Sequence, residues 1–530
     1  MRGPQEVLFL GGRVHRGATT RPSDALLVRG DRIAAVGSEV EVRAAAGPDA
    51  RVEHLDGATI TPGFTDAHVH LTTWALARRY VLLKGAGTIE QAATHIASAS
   101  PTAAGWILGH GWNRHEWDRL PNRRDLDRAV PHHPVFLDSQ DLHAGWLNSE
   151  ALKRCGIARG TPDPPGGRIE RDPQTGEPTG VLFEAARAMA RDSIPPPTAA
   201  DIDVALLSAQ AEAHGLGITG VHSVDVTGLR DFSRLLERSQ LKLRVLQHIQ
   251  LDQLEAAIRV GVRSGLGGDW LRVGGVKMFL DGALGSRTAW LRSPYEGSTD
   301  DFGIQTLQEE HFREAVRVAA EQGLPTAVHA IGDAAVELAI RVLLQVPAPG
   351  AIPHRIEHLQ LCPPDLRELL RGSGIVASMQ PAHLLTDIGP AERNWGIARS
   401  EGAYAFGSLL RSGTVLAFGS DVPVETLDPR PGLFAATHRG TWADYENDEP
   451  GAGWYPDHVI TPAQAVAAYT EGPAIAAGLW HRRGRLEPGH DADLVVWSRD
   501  PITSRGAEFR SLTCDLTMVG GEVVHRRPPA

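Results

Sequence analysis

Apolar residues occur in short runs at both ends of the chain. The N-terminal runs are VLFLGGRV, ALLVRGDRIAAVG and RVEHLDGATITPG, and the C-terminal runs are GRLEPGHDADLVVW and LTCDLTMVGGEVVHRR. Gly-Gly, Gly-Asp and Asp-Gly pairs interrupt them, a pattern typical of short strands joined by tight turns. Because the ends of a domain often lie close together, we expect residues 1–61 and 482–530 to form one composite β-sandwich.

Between these ends, strand-like runs alternate with amphipathic helical runs. The strand-like runs are ATITPGFTDAHVH, GITGVHSVD, LRVLQHI, LRVGGVKMFLDG, LPTAVHAIGD, HRIEHLQL, GIVASMQP and TVLAFGSD. Helical runs such as EEHFREAVRVAAEQG, AAVELAIRVLLQV and PDLRELLRGSG have apolar residues at three- and four-residue spacing. The alternation predicts an α/β fold, a (β/α)8 TIM-like barrel over residues 62–481.

The segment between the first two barrel strands is too long for a simple barrel connection. It contains its own strand-like run, HPVFLDS, and a Gly/Pro-rich stretch, GTPDPPGGRIERDPQTGEPTG. We therefore expect residues 72–190 to form an inserted α+β subdomain over the barrel mouth.

Composition narrows the class of protein and the partners. The net charge of −11 argues against a nucleic-acid or anionic-membrane partner, because either one favours a basic face. The three cysteines do not form a CxxC pair, which favours a reducing cytoplasm over a disulfide framework. The VLFL run is too short for a signal peptide, and no run of 18 apolar residues predicts a membrane span. We expect a cytoplasmic protein with a small-molecule substrate. Whether the protein forms a homodimer is left open by the sequence.

Histidines and an aspartate fall where the barrel strands end. His68 and His70 in PGFTDAHVH are two residues apart, so a strand presents both rings on one face. His329, His358 and Asp421 end strands 5, 6 and 8. Barrel enzymes keep their chemistry at the carboxyl ends of the strands, and imidazole with carboxylate suits Zn²⁺ or a similar divalent ion. A lone His-x-His could equally be packed or surface histidines, but the full set predicts a metal site.

Lys277 lies in GGVKMFLDG on strand 4 and shares its parity with Phe279 and Asp281. It can therefore point into the barrel, where an ammonium group is costly to bury. Two interpretations stay open: a salt bridge to a neighbouring acid, or reaction with CO₂ to give an anionic bridge between two metals.

Several residues near the strand ends could contact substrate. His143 in DLHAGWLNS is one candidate, with a packing role as the alternative. Asp281 and Arg287 lie just past strand 4 in DGALGSR, where a salt bridge between them is the alternative. Gln380, at the end of strand 7, could donate a hydrogen bond into the pocket.

The ordered motifs PGFTDAHVH, KMFLDGALGSRTAWL, TAVHAIGD, RIEHLQL, SMQPAHLLTD, FGSDVPVE and GRLEPGHDADLVV resemble those of the amidohydrolase superfamily. The nearest resemblance is to its YtcJ-like branch (amidohydrolase family 3), which is similar to N-substituted formamide deformylases. The resemblance implies a centre of one or two zinc-type ions. In the two-ion form, His68 and His70 hold one ion, a carboxylated Lys277 bridges, His329 and His358 hold the other, and Asp421 completes the set.

The resulting hypothesis is an amidohydrolase that cleaves a C–N bond other than a peptide bond, in an N-formyl or N-acyl compound. A divalent ion activates water, and Asp421, with His358 beside it in the catalytic set, takes up its proton and passes it to the leaving amine. An ester, carbamate or cyclic-amide hydrolase on the same centre stays open. So does a catalytically silent metal-bearing binding or regulatory protein.

Overall fold

The computed structural model describes residues 5–83, 85–112, 117–139, 144–165, 167–447 and 453–528. The chain forms two compact units. The first unit consists of Met1–Leu71 and Ala209–Ala530, and the second is Thr72–Ser208. None of the helices in these ranges is long and apolar enough to cross a membrane.

The first unit contains an eight-stranded parallel sheet whose strands follow one another in chain order. Barrel strands 1 to 8 are Phe64–Val69, Ile218–Ser223, Arg244–Gln250, Leu271–Phe279, Thr326–Ala330, Arg355–His358, Val376–Met379 and Leu416–Phe418. The α/β fold with a TIM-like barrel is confirmed.

The barrel closes just beyond the ends of strands 1 and 8. Asp421 N donates to His68 O at 2.8 Å, and His70 N donates to Val422 O at 3.0 Å. Asp66 reinforces this seam, because its Oδ1 accepts hydrogen bonds from Ser420 N at 2.9 Å and from His68 N at 3.1 Å. The seam therefore places Asp421 directly beside His68 of strand 1 and His70, which follows that strand.

The run ATITPGFTDAHVH, expected as one strand, is two strands. Thr59–Pro62 pairs with Leu494–Trp497 in a separate sheet, and only Phe64–Val69 belongs to the barrel. Gly63 joins them at a point of close approach, where a Cβ atom would lie 2.2 Å from Thr219 Oγ1. The single-strand prediction is wrong here because the chain changes sheets at this glycine.

Two further sheets of the first unit enclose one apolar layer. The four-stranded sheet has the order Arg32–Gly37, Ala25–Arg29, Glu6–Leu10, Arg51–His54; the five-stranded sheet has the order Arg13–Val14, Thr59–Pro62, Leu494–Trp497, Cys514–Val519, Glu522–Arg526. Phe9 and Leu26 from one sheet and Leu494 and Met518 from the other lie in the same buried cluster. This is a β-sandwich built from N-terminal and C-terminal strands.

Helices connect the barrel strands. The helices that lie wholly within the first unit are Glu39–Ala45, Gly228–Glu237, Leu254–Arg259, Glu309–Glu321, Asp333–Gln345, Pro364–Leu370, Leu384–Asn394, Ile397–Ser400, Phe406–Arg411, Pro429–His438, Trp442–Asn447, Pro462–Tyr469, Glu471–Ala476 and Glu508–Ser511. Leu71–Ala77 and Ala199–Gly215 cross the unit boundaries.

The second unit is built on a six-stranded mixed sheet. Its order is Gly167–Arg171, Pro178–Glu184, Ala144–Leu147, Val135–Ser139, Ile107–Trp112, Val81–Leu82, and its helices are Ile89–Ala97, Arg123–Ala129, Ser149–Arg154 and Ala185–Asp192. Neighbouring residues along a strand enter different cores: Leu137 and Trp146 pack in one, Phe136 and Leu147 in the other. Both faces of the sheet are therefore buried, as the period of two in a strand allows.

Candidate active site

Three donor-bearing side chains converge at the carboxyl ends of the barrel strands. One ligand atom each from His68, His358 and Asp421 lies within 4.8 Å of the others. His68 belongs to strand 1, His358 ends strand 6, and Asp421 follows strand 8. Residues that are far apart in the chain meet here because the sheet curves back on itself.

The backbone is constrained where two of these residues lie. His358 has φ 69° and Asp421 has φ 58°, both in the left-handed region that is uncommon for residues other than glycine. Such conformations cost of order 1–3 kcal/mol each and persist where the surrounding structure holds them. The hydrogen bond from Asp421 N to His68 O is one such restraint.

A buried hydrogen bond to a carboxylate orients His68. Its Nδ1 lies 2.6 Å from Glu357 Oε2, and both side chains are almost fully buried. Arg355 donates to both oxygens of Glu357 and also reaches Ser378 Oγ at 2.7 Å and His222 Nδ1 at 2.9 Å. A carboxylate on Nδ1 directs the other nitrogen, Nε2, toward Asp421, whose Oδ1 is 3.4 Å away.

The charges of these groups suit a cation. Burial lowers the pKa of His68 and takes that of His358 well below its usual value, so both rings are neutral at pH 7 and can act as ligands. Burial alone would raise the pKa of Asp421, but the hydrogen bond from His70 and the nearby His68 hold it well below its usual value. Asp421 is therefore an ionised carboxylate.

His70 and His329 lie at the edge of this group. His70 Nε2 is 3.5 Å from Asp421 Oδ1, and its side chain is 31% exposed, against 1% for His68. The His329 ring packs against His358 with centroids 4.5 Å apart, but its Nε2 lies 3.0 Å from Gly282 O. Burial lowers the pKa of His329 to about 3, which keeps this ring neutral as well.

Lys277 is buried inside the barrel and forms no salt bridge with the residues that the structure describes. Its Nζ has no hydrogen-bond partner among the described residues and lies 4.5 Å from the centre of the Phe279 ring. Burial lowers the pKa of Lys277 to about 8, against the opposing charges of Glu357 and Asp421. A considerable neutral fraction of the amine is therefore present near pH 7.5.

The candidate substrate contacts have varied surroundings. Asp281 is buried, and its carboxylate accepts from Ile331 N, Gly332 N and Trp290 N, so it anchors the loops after strands 4 and 5. Arg287 does not pair with Asp281; it pairs with Asp301 at 3.1 Å.

Two candidates remain. Gln380 is buried and donates to Ser378 O at 3.3 Å. His143 lies outside the described residues.

The structure adds residues that were not singled out from the sequence. Arg355 and Glu357 are two residues apart on strand 6, so their side chains point to the same face of the sheet. This spacing was the signal in the sequence that could have paired them. Asp66 lies in the quoted motif PGFTDAHVH, and burial raises its pKa to about 7. His383, in SMQPAHLLTD, has its Nε2 3.7 Å from Asp421 Oδ2. It lies in a single helical turn after strand 7, where periodicity gives no signal.

The donor set fits a divalent cation. Three buried polar atoms around the group, Lys277 Nζ, His358 Nδ1 and His383 Nε2, have no hydrogen-bond partner among the described residues. Buried polar groups without partners are rare unless an ion or water completes them. Neutral imidazoles with one carboxylate are ligands that Zn²⁺ and similar ions prefer. The described residues thus contain a candidate metal site.

Comparison with known proteins agrees with this geometry. A model of the amidohydrolase family matches residues 51–525. The chain belongs to the amidohydrolase family. It is 32% identical over 516 residues to YtcJ of Bacillus subtilis (strain 168), which covers 95% of this chain and 96% of that protein. It is 30% identical over 536 residues to an N-substituted formamide deformylase of Arthrobacter pascens, covering 95% of each.

A solved structure is similar to most of the chain. An uncharacterized metal-dependent hydrolase from Pyrococcus furiosus superposes with a TM-score of 0.80 at 27% identity, covering 94% of this chain and 100% of that one. The resemblance inferred from the motifs is confirmed. The chain is a metal-dependent hydrolase of the amidohydrolase family.

Proposed function

We propose that the protein hydrolyses an amide-type C–N bond in an N-formyl or N-acyl compound and releases an amine. The observation that carries this proposal is the convergence of His68, His358 and Asp421 at the strand ends. The relative from Arthrobacter pascens, named as an N-substituted formamide deformylase, supports the choice of bond, because it is similar over nearly the whole chain.

The residues that would hold the ion follow from the donor group and its edge. His68, His358 and Asp421 form the core of the set, with His70, His329 and Lys277 around it. We propose zinc as the resident ion, because imidazole-rich sites with a carboxylate favour it. When bound, such an ion lowers the pKa of water and polarises a carbonyl group.

The chemical form of Lys277 decides between one and two ions. Its neutral amine can add to CO₂ and lose a proton, which gives an anionic carbamate with two oxygen donors. The buried Nζ, which has no hydrogen-bond partner in the described part of the chain, and its lowered pKa both favour this reaction. We propose a carboxylated Lys277 bridging two ions; a free amine corresponds to a site with a single ion.

Asp421 is the proposed proton shuttle. Its Oδ1 lies near His68 and His70, whereas its Oδ2 lies on the side of His383. An ionised carboxylate so placed can accept a proton from the attacking water and deliver it to the leaving nitrogen. This transfer is needed because an amide nitrogen leaves poorly until it is protonated.

The test is release of amine by the zinc-loaded protein from a panel of N-substituted formamides and N-acyl amines. Matched esters, carbamates and cyclic amides are assayed beside them. Amine release that disappears on chelation and returns with zinc supports the proposal. Turnover of the esters or cyclic amides alone identifies the alternative hydrolase, and tight ligand binding without any turnover identifies a binding protein.

Asp421→Asn tests the shuttle directly. The variant retains an oxygen that can hold the ion but cannot accept the proton, so we expect zinc content near that of the wild type and turnover reduced by about 10²–10⁴-fold. Asp252→Asn, at an exposed position on the same chain, is the matched control and should leave both unchanged. Full activity in Asp421→Asn contradicts the role.

A further inference from the structure

His383 has a buried ring nitrogen that the proposed function does not use. Its Nε2 atom is inaccessible to solvent and has no hydrogen-bond partner among the described residues, although 12% of the side chain is exposed. Buried polar groups in folded proteins are nearly always hydrogen-bonded, so a partner is expected in the working protein. Among the described residues, the acidic side chain within salt-bridge range of this nitrogen is Asp421, whose Oδ2 is 3.7 Å away, too far for a hydrogen bond.

The two oxygens of Asp421 face different groups. Oδ1 lies 3.4 Å from His68 Nε2 and 3.5 Å from His70 Nε2, on the side of these two histidines. Oδ2 lies on the side of His383. A bound molecule that hydrogen-bonds to His383 Nε2 would therefore have its acceptor oxygen on the Oδ2 side of Asp421.

His383 is not one of the converging donors. The group whose donor atoms approach one another within 4.8 Å consists of His68, His358 and Asp421. The His383 ring is 6.1 Å from the His358 ring, between centroids. This places His383 beside the candidate metal site rather than within its donor set.

The local structure fixes the position of His383. It ends the turn Pro381–His383, and helix Leu384–Asn394 begins directly after it. One turn further along, Asp387 accepts from Tyr404 OH at 2.5 Å and from Gln360 Nε2 at 2.7 Å, which ties the start of this helix to neighbouring elements. A side chain held by such anchors is preorganised, as a group that contacts a reacting molecule needs to be.

We propose that His383 is a further catalytic residue, whose Nε2–H donates a hydrogen bond to the carbonyl oxygen of the substrate. The bond strengthens as negative charge grows on that oxygen during attack by water, and no proton is transferred. The substrate class is a planar carbonyl compound small enough to approach both His383 and Asp421. This inference rests on the proposed function, and a binding measurement separates the two.

The first experiment compares the zinc-loaded wild type with His383→Leu and His383→Gln on the formamide panel. Loss of one donor to a developing oxyanion reduces kcat by about 10²–10³-fold, so we expect that loss in His383→Leu, with KM within about threefold. His383→Gln presents an amide N–H and should recover at least about tenfold of the loss. Zinc content stays at the wild-type level, and the control His311→Leu, on an exposed helical position, behaves as the wild type.

The second experiment needs no turnover. Formate, a planar carboxylate, is titrated into the zinc-loaded proteins by calorimetry, and we expect at least about tenfold weaker binding in His383→Leu. If no panel compound is turned over but this weakening is seen, the proposed function fails and the role of His383 stands. If the wild type turns over formamides while His383→Leu keeps kcat and formate affinity within threefold, the role is overturned. A fall in zinc content parallel to activity also overturns it, because His383 would then act on the metal.

Discussion

Replacing Glu357 by Gln tests the network that orients His68. The carboxylate of Glu357 is buried between His68 Nδ1 and the guanidinium of Arg355. Burial would raise its pKa, but the charge of Arg355, followed by the neighbouring His68 with its hydrogen bond, holds the pKa of Glu357 well below its usual value. The substitution removes this charge with little change of shape, so it isolates the electrostatic contribution.

The size of the expected stability loss follows from the hydrogen-bond partners that Arg355 keeps in the variant. Its remaining described partners, Ser378 Oγ, His222 Nδ1 and Ala67 O, are neutral. Breaking one side of a buried ion pair costs about 3–5 kcal/mol, because the other charge stays buried without compensation. We expect Glu357→Gln to lower the stability of the metal-free protein by about this amount, and to weaken zinc binding by about 10–100-fold through loss of the histidine's support.

The assay is urea unfolding of the chelator-treated protein followed by tryptophan fluorescence, with zinc affinity measured by competition against a chromogenic chelator. Glu368→Gln is the matched control: its Glu–Arg pair with Arg371 is exposed, and its stability should be close to that of the wild type. If Glu357→Gln and Glu368→Gln unfold at the same urea concentration and bind zinc equally, the buried network does not act as described.

Three further predictions concern the scaffold. Burial lowers the pKa of His214 to about 4, so between pH 6.5 and 4 the unfolded state binds a proton that the folded state lacks. The free energy of unfolding should therefore decrease as the pH is lowered through this window, by up to about 1.4 kcal/mol per pH unit. Thermal unfolding should show a smaller decrease in His214→Gln. Asp281→Ala leaves three backbone amides without their acceptor and should cost about 3 kcal/mol or more in urea unfolding, whereas a loss below 1 kcal/mol contradicts the anchoring role. Gly472→Ala places a Cβ atom 1.9 Å from Leu416 O and should yield little soluble protein, while Gly268→Ala, with open space around it, should express normally.

The periodic parts of the chain were predictable from its sequence. The barrel strands and the helices Glu309–Glu321 and Asp333–Gln345 have clear apolar spacing, and the structure contains them. His68, His358 and Asp421 were predictable because each lies at or just past the end of an apolar run. Their donor atoms meet only because the barrel closes, which the eightfold alternation already implied.

Other features depend on contacts between distant residues. The chain changes sheets at Gly63, which lies close to the distant residue Thr219, and no local pattern reveals it. His383 is one of 23 histidines, and only the three-dimensional neighbourhood of Asp421 distinguishes it. Arg287 has several acidic residues near it in the sequence, and the fold selects Asp301 rather than Asp281.

The central claim is that the strand-end donors hold the catalytic ion. The most direct measurement is X-ray diffraction from crystals of the zinc-loaded protein at the zinc absorption edge. The account predicts an anomalous peak between His68, His358 and Asp421. Full zinc occupancy at some other group of residues, with no peak among these three, contradicts it.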